Sequence, residues 1–225
     1  MWTGTIPFET LAADGRWKVE LWSCEAGTVE AGYPLVRLGE LVGEVRQTVD
    51  PQAEPERLLC YVGLEHIESG TGDLVGYEPR LGRAVRSRSK VFGAGNVLFG
   101  RLRPLLNKVY LACDEQVAEG ICSGELLVLV PDRSRVLPRV LRYLLASPYV
   151  QGHIARFQTG AALPRVSAAD LLSLKLPVPP LADQRVLEET LRRADLDRRR
   201  LRAELQGHPE ETMNRFVQSL RRGEP

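Results

Sequence analysis

The sequence of 225 residues is poor in the residues from which disulfide frameworks and metal sites are built. Its four cysteines show no CxxC spacing and its three histidines lie far apart, so we expect neither kind of site. No apolar run approaches the roughly 20 residues that span a bilayer, and the first residues do not follow the pattern of a signal peptide. We therefore expect a soluble cytoplasmic protein that binds no metal and does not enter a membrane.

The sequence also lacks the common catalytic motifs. It contains no GxSxG nucleophile elbow, no P-loop and no carboxylate-x-lysine triplet of metal-dependent nucleases. The string Phe92-Gly93-Ala94-Gly95 is only a weak indication of a loop that binds a methyl donor, because no Asn-Pro-Pro-aromatic loop accompanies it. We therefore predict a chain that is not an enzyme and needs no cofactor. Another subunit would perform any reaction in which it takes part.

Charge is distributed unevenly along the chain, although the formal net charge is only +1. Residues 1–79 contain five basic and fourteen acidic residues, whereas residues 80–113 contain eight basic residues and no acidic one. Such a segment is typical of a surface that binds a polyanion such as nucleic acid. The alternative is that the acidic first third of the chain neutralises it in the folded protein.

Short apolar runs rich in β-branched residues predict strands of a mixed or antiparallel sheet. After residue 131 the pattern becomes helical, with Pro138 suited to a first helical turn and Ser167 to a helix cap. The proline-rich segment 176–181 is predicted to be extended and to form neither helix nor strand ladder. The predicted strands cover residues 58–64, 91–99, 108–113 and 125–130.

A long helix is predicted after the prolines. Its seam positions are spaced by four and three residues in turn, which is the heptad pattern of a coiled coil. Gly207-His208-Pro209 then predicts a break, followed by a short second helix. A narrow apolar stripe on a charged helix is not stable alone in water, so this helix needs a partner from the same or another chain. The seam consists of Leu187, Leu191, Ala194, Arg198, Leu201 and Leu205.

These patterns together predict an α+β fold, in which a mixed-sheet domain precedes a long coiled-coil-forming helix and a short C-terminal helix. We divide the chain into an N-terminal extension packed on the domain (1–33), the domain itself (34–180) and a helical spacer or dimerisation region (181–225).

Five segments resemble one known family in the order in which they occur. Residues 95–109, GNVLFGRLRPLLNKV, resemble the central motif of target recognition domains in the DNA-specificity subunits of type I restriction–modification systems. Segments 61–67 (YVGLEHI) and 122–129 (CSGELLVL) resemble an early strand and a turn into a core strand of the same domains. Segments 159–171 and 176–184 resemble the late loop and the joint that opens the family's long helix.

The resemblance covers roughly residues 34–223 and implies a non-catalytic subunit that binds double-stranded DNA. It implies that the chain directs methyltransferase subunits, and with them the restriction subunit, to a bipartite target. In this family the other subunits supply adenine methylation dependent on S-adenosylmethionine and restriction driven by ATP. Members usually carry two recognition domains and two long helices, whereas this sequence has one of each. The resemblance therefore implies a half-subunit that forms a homodimer and reads an inverted repeat.

The basic segment and the late loop supply the candidate DNA contacts, since arginine and lysine bind phosphates and base edges. For Arg101 and Arg103 an internal ion pair with an acidic residue is the alternative, and Leu102, Leu105 and Leu106 are expected in the core. The candidate contacts are Arg80, Arg83, Arg86, Arg88, Lys90, Arg101, Arg103, Lys108, Thr159 and Arg165.

Two other functions stay open at this point. The chain could be a free-standing dimeric DNA-binding regulator, which would not co-purify with a methyltransferase subunit. It could also be an enzyme with an unrecognised active site, which a turnover assay on the isolated chain would reveal.

Overall fold

A four-stranded antiparallel sheet lies at the centre of the computed structural model, which describes residues 32–157 and 163–222. Its strands are β2 (Val42–Val45), β8 (Val97–Gly100), β9 (Val109–Leu111) and β11 (Leu126–Pro131). They are arranged in the order β2-β11-β8-β9. The apolar run predicted as a strand at residues 125–130 forms the longest strand and is paired on both sides.

A second, mixed sheet has the order β3-β7-β10-β5, in which only the pair of β10 and β5 is parallel. Its strands are β3 (Thr48–Val49), β5 (Tyr61–Val62), β7 (Ser89–Phe92) and β10 (Gly120–Cys122). Two antiparallel pairs complete the strands of the described residues. They join β1 (Leu35–Arg37) to β12 (Lys175–Pro177) and β4 (Leu58–Leu59) to β6 (Arg80–Leu81).

Three short helices follow the central sheet, α1 (Pro138–Ala146), α2 (Pro148–Phe157) and α3 (Ala168–Ser173). Pro138 occupies the first turn of α1 as predicted. Ser167 caps α3 as predicted, since its hydroxyl accepts a hydrogen bond from the Asp170 amide at 3.0 Å. Single 3₁₀ turns lie at Leu38–Glu40, Pro51–Ala53, Leu64–His66, Gly82–Ala84 and Pro104–Leu106.

The central sheet is buried on both faces. Alternate residues of its strands point in opposite directions and therefore contribute to different core clusters. Leu127 and Leu129 of β11 face a core cluster that includes residues of α1, α2 and α3. Leu126 and Val128 face a second cluster, to which the mixed sheet contributes residues such as Phe92. This double burial explains why β11 is a continuous apolar run rather than an alternating one. The predicted α+β fold class is confirmed.

One long helix, α4 (Leu181–Arg222), closes the chain. The predicted break at residues 207–209 is wrong, because the helix continues through Pro209. A proline inside a helix costs about 3 kcal/mol, a cost that the favourable residues around it can offset. None of the described helices is long and apolar enough to cross a membrane.

The chain divides into two units, residues 1–184 and 185–225. In the first unit the fully buried Gln184 fixes the start of α4. Its Oε1 accepts from the Leu137 amide at 2.8 Å, and its Nε2 donates to the carbonyls of Arg135 and Pro179 at 2.9 and 2.8 Å. The predicted N-terminal extension lies outside the described residues except for its last two.

The prediction that residues 176–181 form neither helix nor strand ladder is wrong at both ends, because Leu176 and Pro177 belong to β12 and Leu181 begins α4. Pro177 lies opposite Leu35 in the pair of β1 and β12, and the Val178 amide donates to the Pro34 carbonyl at 3.1 Å. A proline lacks only the amide donor, so it is tolerated where a strand has a neighbour on one side alone.

Candidate nucleic-acid interface

Glu125 lies at the centre of a group of basic side chains. The group lies where the turn before β11 contacts the segment that carries Arg165. Arg165 binds the carboxylate with the Nε–Nη2 edge of its guanidinium, with Nη2 2.8 Å from Oε1 and Nε 3.2 Å from each oxygen. The Glu125 amide donates to the Ser123 hydroxyl at 3.2 Å, which fixes the backbone of the turn. The pair therefore holds two chain segments together and orients Arg165.

Two further cations approach the same carboxylate. Lys90 of β7 donates from Nζ to the Leu126 carbonyl at 3.0 Å. Arg101 follows β8, and its backbone amide donates to the Glu125 carbonyl at 2.9 Å. The pKa of Glu125 lies below its usual value because of the hydrogen bonds from Arg165, with the charges of Arg165, Arg101 and Lys90 adding to the effect. One carboxylate thus lies near three cations, so the cluster as a whole carries more positive than negative charge.

Arg103 differs from Arg101 in its exposure and in its backbone conformation. Arg103 has a positive φ of 47° and is exposed, whereas Arg101 is partly buried and its Nε has no hydrogen-bond partner. Among the described residues the side chain of Arg103 makes no ion pair. Its backbone amide donates to the Pro164 carbonyl at 2.7 Å, which places Arg103 beside the segment that carries Arg165.

Arg88 immediately precedes β7. It is exposed and donates to the hydroxyl and carbonyl oxygens of Thr48 at 3.1–3.3 Å. Thr48 lies opposite Lys90 in the sheet, so its hydrogen bonds with Arg88 place Arg88 beside Lys90. The structure thus brings together five of the predicted residues, which we call the basic surface. It consists of Arg88, Lys90, Arg101, Arg103 and Arg165.

The remaining candidates are placed differently. Arg80 and Arg83 form ion pairs with Glu65 and Glu56, so the acidic first third of the chain neutralises them, as the alternative interpretation expected. Lys108 is partly buried and donates from Nζ to the Leu64 carbonyl at 2.7 Å. Arg86 is exposed, and among the described residues its side chain has no partner. Thr159 lies outside the described residues.

The expectation that the leucines after Arg101 are buried is wrong for two of them. Leu105 and Leu106 are exposed, whereas Leu102 is partly buried and pairs with Arg165 through the backbone. The 3₁₀ turn at Pro104–Leu106 directs these two residues away from the core. Sequence analysis also missed Glu125, because no local pattern connects it with Arg165 forty positions later.

His66 lies beneath Arg80 in a small polar cluster outside the basic surface. It is buried, its Nδ1 accepts from the Gly63 amide at 3.0 Å, and its ring contacts Tyr61 and Tyr77 edge-on. Burial lowers the pKa of His66 below its usual value, and the charge of Arg80 adds to this effect against that of Glu65. Among the described residues, no group of three His, Cys, Asp or Glu side chains is arranged to hold a metal ion.

We expect the folded domain to lose stability as the pH falls from 7.5 to 5.5. Because the pKa of His66 is lower in the folded state, the unfolded chain binds more protons once the pH drops through the ordinary histidine value of about 6.5. Thermal unfolding monitored by circular dichroism across this range measures the loss. The variant His66→Asn, whose amide oxygen can accept the same bond from Gly63, should show a flatter pH profile. An unchanged profile would contradict the role of His66.

Some known proteins are similar to this chain in sequence and in fold. No protein-family model matches the sequence. The chain is 30% identical over 131 residues to the type I restriction enzyme EcoDI specificity subunit of Escherichia coli, an alignment that covers 58% of this chain and 27% of that protein.

Two solved structures share the fold. The HsdS subunit from Thermoanaerobacter tengcongensis is 31% identical, with a TM-score of 0.63 over 83% of this chain and 49% of that one. A chain from a study of complex assembly and conformational transition in the type I restriction–modification system is 28% identical. Its TM-score is also 0.63, over 86% of this chain and 50% of that one.

The chain spans about half the length of the solved relatives and matches about a quarter of the curated one. The resemblance found in the sequence is therefore confirmed, and in sequence and fold the chain is similar to part of the specificity subunits of type I restriction enzymes.

Proposed function

We propose that the chain is a sequence-specific DNA-binding module that directs methyltransferase and restriction subunits to a bipartite target. The observation that carries the proposal is the basic surface, on a fold similar to that of specificity subunits. In this proposal the chain itself performs no reaction and works in the cytoplasm, where its DNA partner lies.

The basic surface has the two kinds of group that sequence reading needs. Exposed arginines such as Arg88 and Arg103 suit phosphate contacts, which fix the position of a protein on the duplex. Glu125 binds the Nε–Nη2 edge of Arg165 and so holds its guanidinium in a fixed orientation, and the Nη1–Nη2 edge is suited to paired hydrogen bonds with a guanine edge. A rigid sheet beneath these groups keeps their spacing constant, as discrimination between sequences requires.

Replacing exposed arginines that form no ion pair among the described residues should weaken DNA binding in a salt-dependent way. For the variant Arg88→Gln with Arg103→Gln, two exposed arginines of the basic surface, we expect the slope of log affinity against log salt to flatten by about 0.9 for each phosphate that the protein no longer neutralises. Fluorescence anisotropy with a mixed-sequence duplex, from 50 to 200 mM salt, measures this slope.

The matched control removes the same charge from paired arginines. Arg57→Gln with Arg83→Gln changes two residues that form ion pairs with Glu54 and Glu56. We expect a much smaller change in slope for this control. Equal changes in both variants would show that net charge, and not the proposed surface, governs binding.

We further propose that α4 pairs with α4 of a second copy and also docks the methyltransferase subunits. Within the second unit the apolar seam is open, since Leu187, Leu201 and Leu205 are 38%, 58% and 70% exposed. Arg198 also lies on the seam, and its Nη2 donates to Asp195 of its own helix at 2.8 Å. Two copies would present two recognition domains in inverted orientation.

Co-expression with the methyltransferase subunit of a type I system distinguishes this function from that of a free-standing regulator. We expect the two proteins to co-purify, and the isolated chain to transfer no methyl groups. Methyl transfer by the chain alone would refute the non-catalytic role. Specific DNA binding without any association would favour the regulator.

A further inference from the structure

The turn at residues 103–107 displays two leucines beside the basic surface. Leu105 and Leu106 are 52% and 45% exposed, and Leu163 is 47% exposed. Leu163 immediately precedes Pro164, whose carbonyl accepts from the Arg103 amide. All three leucines therefore lie within a few residues of the hydrogen bond that joins Arg103 to Pro164. Leucine is usually buried, so a group of exposed leucines indicates a binding surface.

The backbone of this turn is held in an unusual conformation. Arg103 and Asn107 have φ values of 47° and 51°, the only positive values among the described residues other than glycine. Left-handed backbone is strained for an arginine and persists only where the surroundings impose it. Asparagine tolerates the conformation better.

Hydrogen bonds fix both ends of the turn. The Leu106 amide donates to the Arg103 carbonyl at 2.9 Å, and the Asn107 amide donates to the Pro104 carbonyl at 3.0 Å. Asn107 also donates from Nδ2 to the Ala146 carbonyl at 2.9 Å and accepts from the Gly70 amide at 2.9 Å. These hydrogen bonds hold the turn in one conformation, so the two exposed leucines keep a fixed position on the surface.

The charge around the turn identifies its occupant. Arg103 is exposed and without an ion pair among the described residues. Arg101 lies two residues before it in the chain, and Arg165, which pairs with Glu125, follows Pro164. An apolar tip beside an exposed arginine that forms no ion pair among the described residues fits a polyanion with an apolar interior, which is a DNA duplex with its stacked bases. Proteins that insert leucine or a similar side chain between base pairs unstack one step and kink the duplex.

We propose that Leu105 and Leu106 form a wedge that inserts between two base pairs of the target and kinks it. This inference rests on the proposed function. The kink would bring more of the duplex onto the basic surface, so part of the sequence preference would come from how easily the step deforms.

The test compares the wild-type chain with Leu105→Ser and Leu106→Ser combined, on a duplex selected from a random library by the wild type. We expect the wild type to bend end-labelled DNA by about 20–90° in energy-transfer measurements and to raise 2-aminopurine fluorescence at one step. The double variant should lose both signals and bind roughly tenfold or more weakly.

The control is Leu58→Ser, which changes a leucine that is 63% exposed elsewhere in the domain. It should bend DNA as the wild type does. Circular dichroism establishes that each variant is folded, as expected for exposed positions.

Each outcome separates the wedge from the proposed function. A wild type that binds no duplex contradicts both. Binding without bending, or bending retained by the double variant, overturns the wedge alone. A double variant that bends DNA normally but no longer binds the methyltransferase subunit would identify the turn as a protein-docking surface and also overturn the wedge.

Discussion

Combined replacement of Leu191 and Leu201 by aspartate is expected to convert a dimer of the chain into monomers. The two positions lie ten residues apart on the seam of α4, and Leu201 is more than half exposed in the single chain. An aspartate at each would place unpaired charge in a helix–helix interface, where its desolvation is not repaid. Analytical ultracentrifugation of wild type and variant measures the change directly.

The same variant should lose most of its affinity for a duplex that carries both half-sites. Two linked recognition domains bind such a duplex together, and this gain in effective concentration is worth about 10²–10⁴ in affinity. Affinity for a duplex with one half-site should stay unchanged, because the basic surface is intact. That difference separates loss of pairing from damage to the recognition domain.

A matched control places aspartates elsewhere on the same helix. Leu196→Asp with Ala203→Asp introduces the same charge at two exposed positions outside the seam. This variant should remain dimeric. A wild type that sediments as a monomer, or a selected site without inverted symmetry, would overturn the pairing of two copies while leaving DNA binding by the domain in place.

The parts of the fold that the sequence predicted well depend on neighbours along the chain. The apolar run at residues 125–130, the proline at the start of α1 and the cap at Ser167 each act within a few residues. Strand burial, helix initiation and capping are local in this sense. Pattern alone therefore identified these elements and the α+β class.

The errors arose where distant residues decide the outcome. Leu105 and Leu106 have the apolar character of core residues, but contacts of Asn107 with Gly70 and Ala146 fix the turn that exposes them. Pro209 indicated a break, but one missing hydrogen bond does not impose a break on a long helix.

The candidate site shows the same division. A basic segment free of acidic residues was visible in the sequence, but its neutralisation was not. The carboxylates that pair with Arg80 and Arg83 lie 15 and 27 residues earlier, and Glu125 lies 40 residues before Arg165. Net charge by segment therefore predicts a polyanionic partner, whereas only the fold separates the arginines that form ion pairs from those that do not.

Arg142 illustrates a contribution to stability that no local pattern reveals. It lies on α1, where the apolar positions Leu141 and Leu145 predict a buried face, yet it is itself only 4% exposed. Its Nε donates to the Val109 carbonyl at 3.2 Å, and its Nη2 donates to the carbonyls of Gly70 and Thr71. One guanidinium therefore ties α1 to β9 and to a loop about 70 residues earlier.

Replacing Arg142 with methionine is expected to destabilise the domain by about 3 kcal/mol, because several buried carbonyls lose their donor at once. Arg142→Lys should restore only part of this loss, since an ammonium group lacks the planar fork that spans the separate acceptors. Urea unfolding followed by circular dichroism gives both values. As a control, Arg46→Met removes an arginine whose side chain is 79% exposed and should change stability by less than about 1 kcal/mol.

Loss of the Arg142 contacts should also reduce the bending of DNA. The loop held by Arg142 includes Gly70, whose amide donates to the Asn107 carbonyl at the end of the turn that carries Leu105 and Leu106. Where the Arg142→Met chain is still folded, we expect it to bend the selected duplex less than the wild type does, because one support of the turn is released. Bending equal to that of the wild type would show that the contacts of Arg103 and Asn107 hold the turn without this loop.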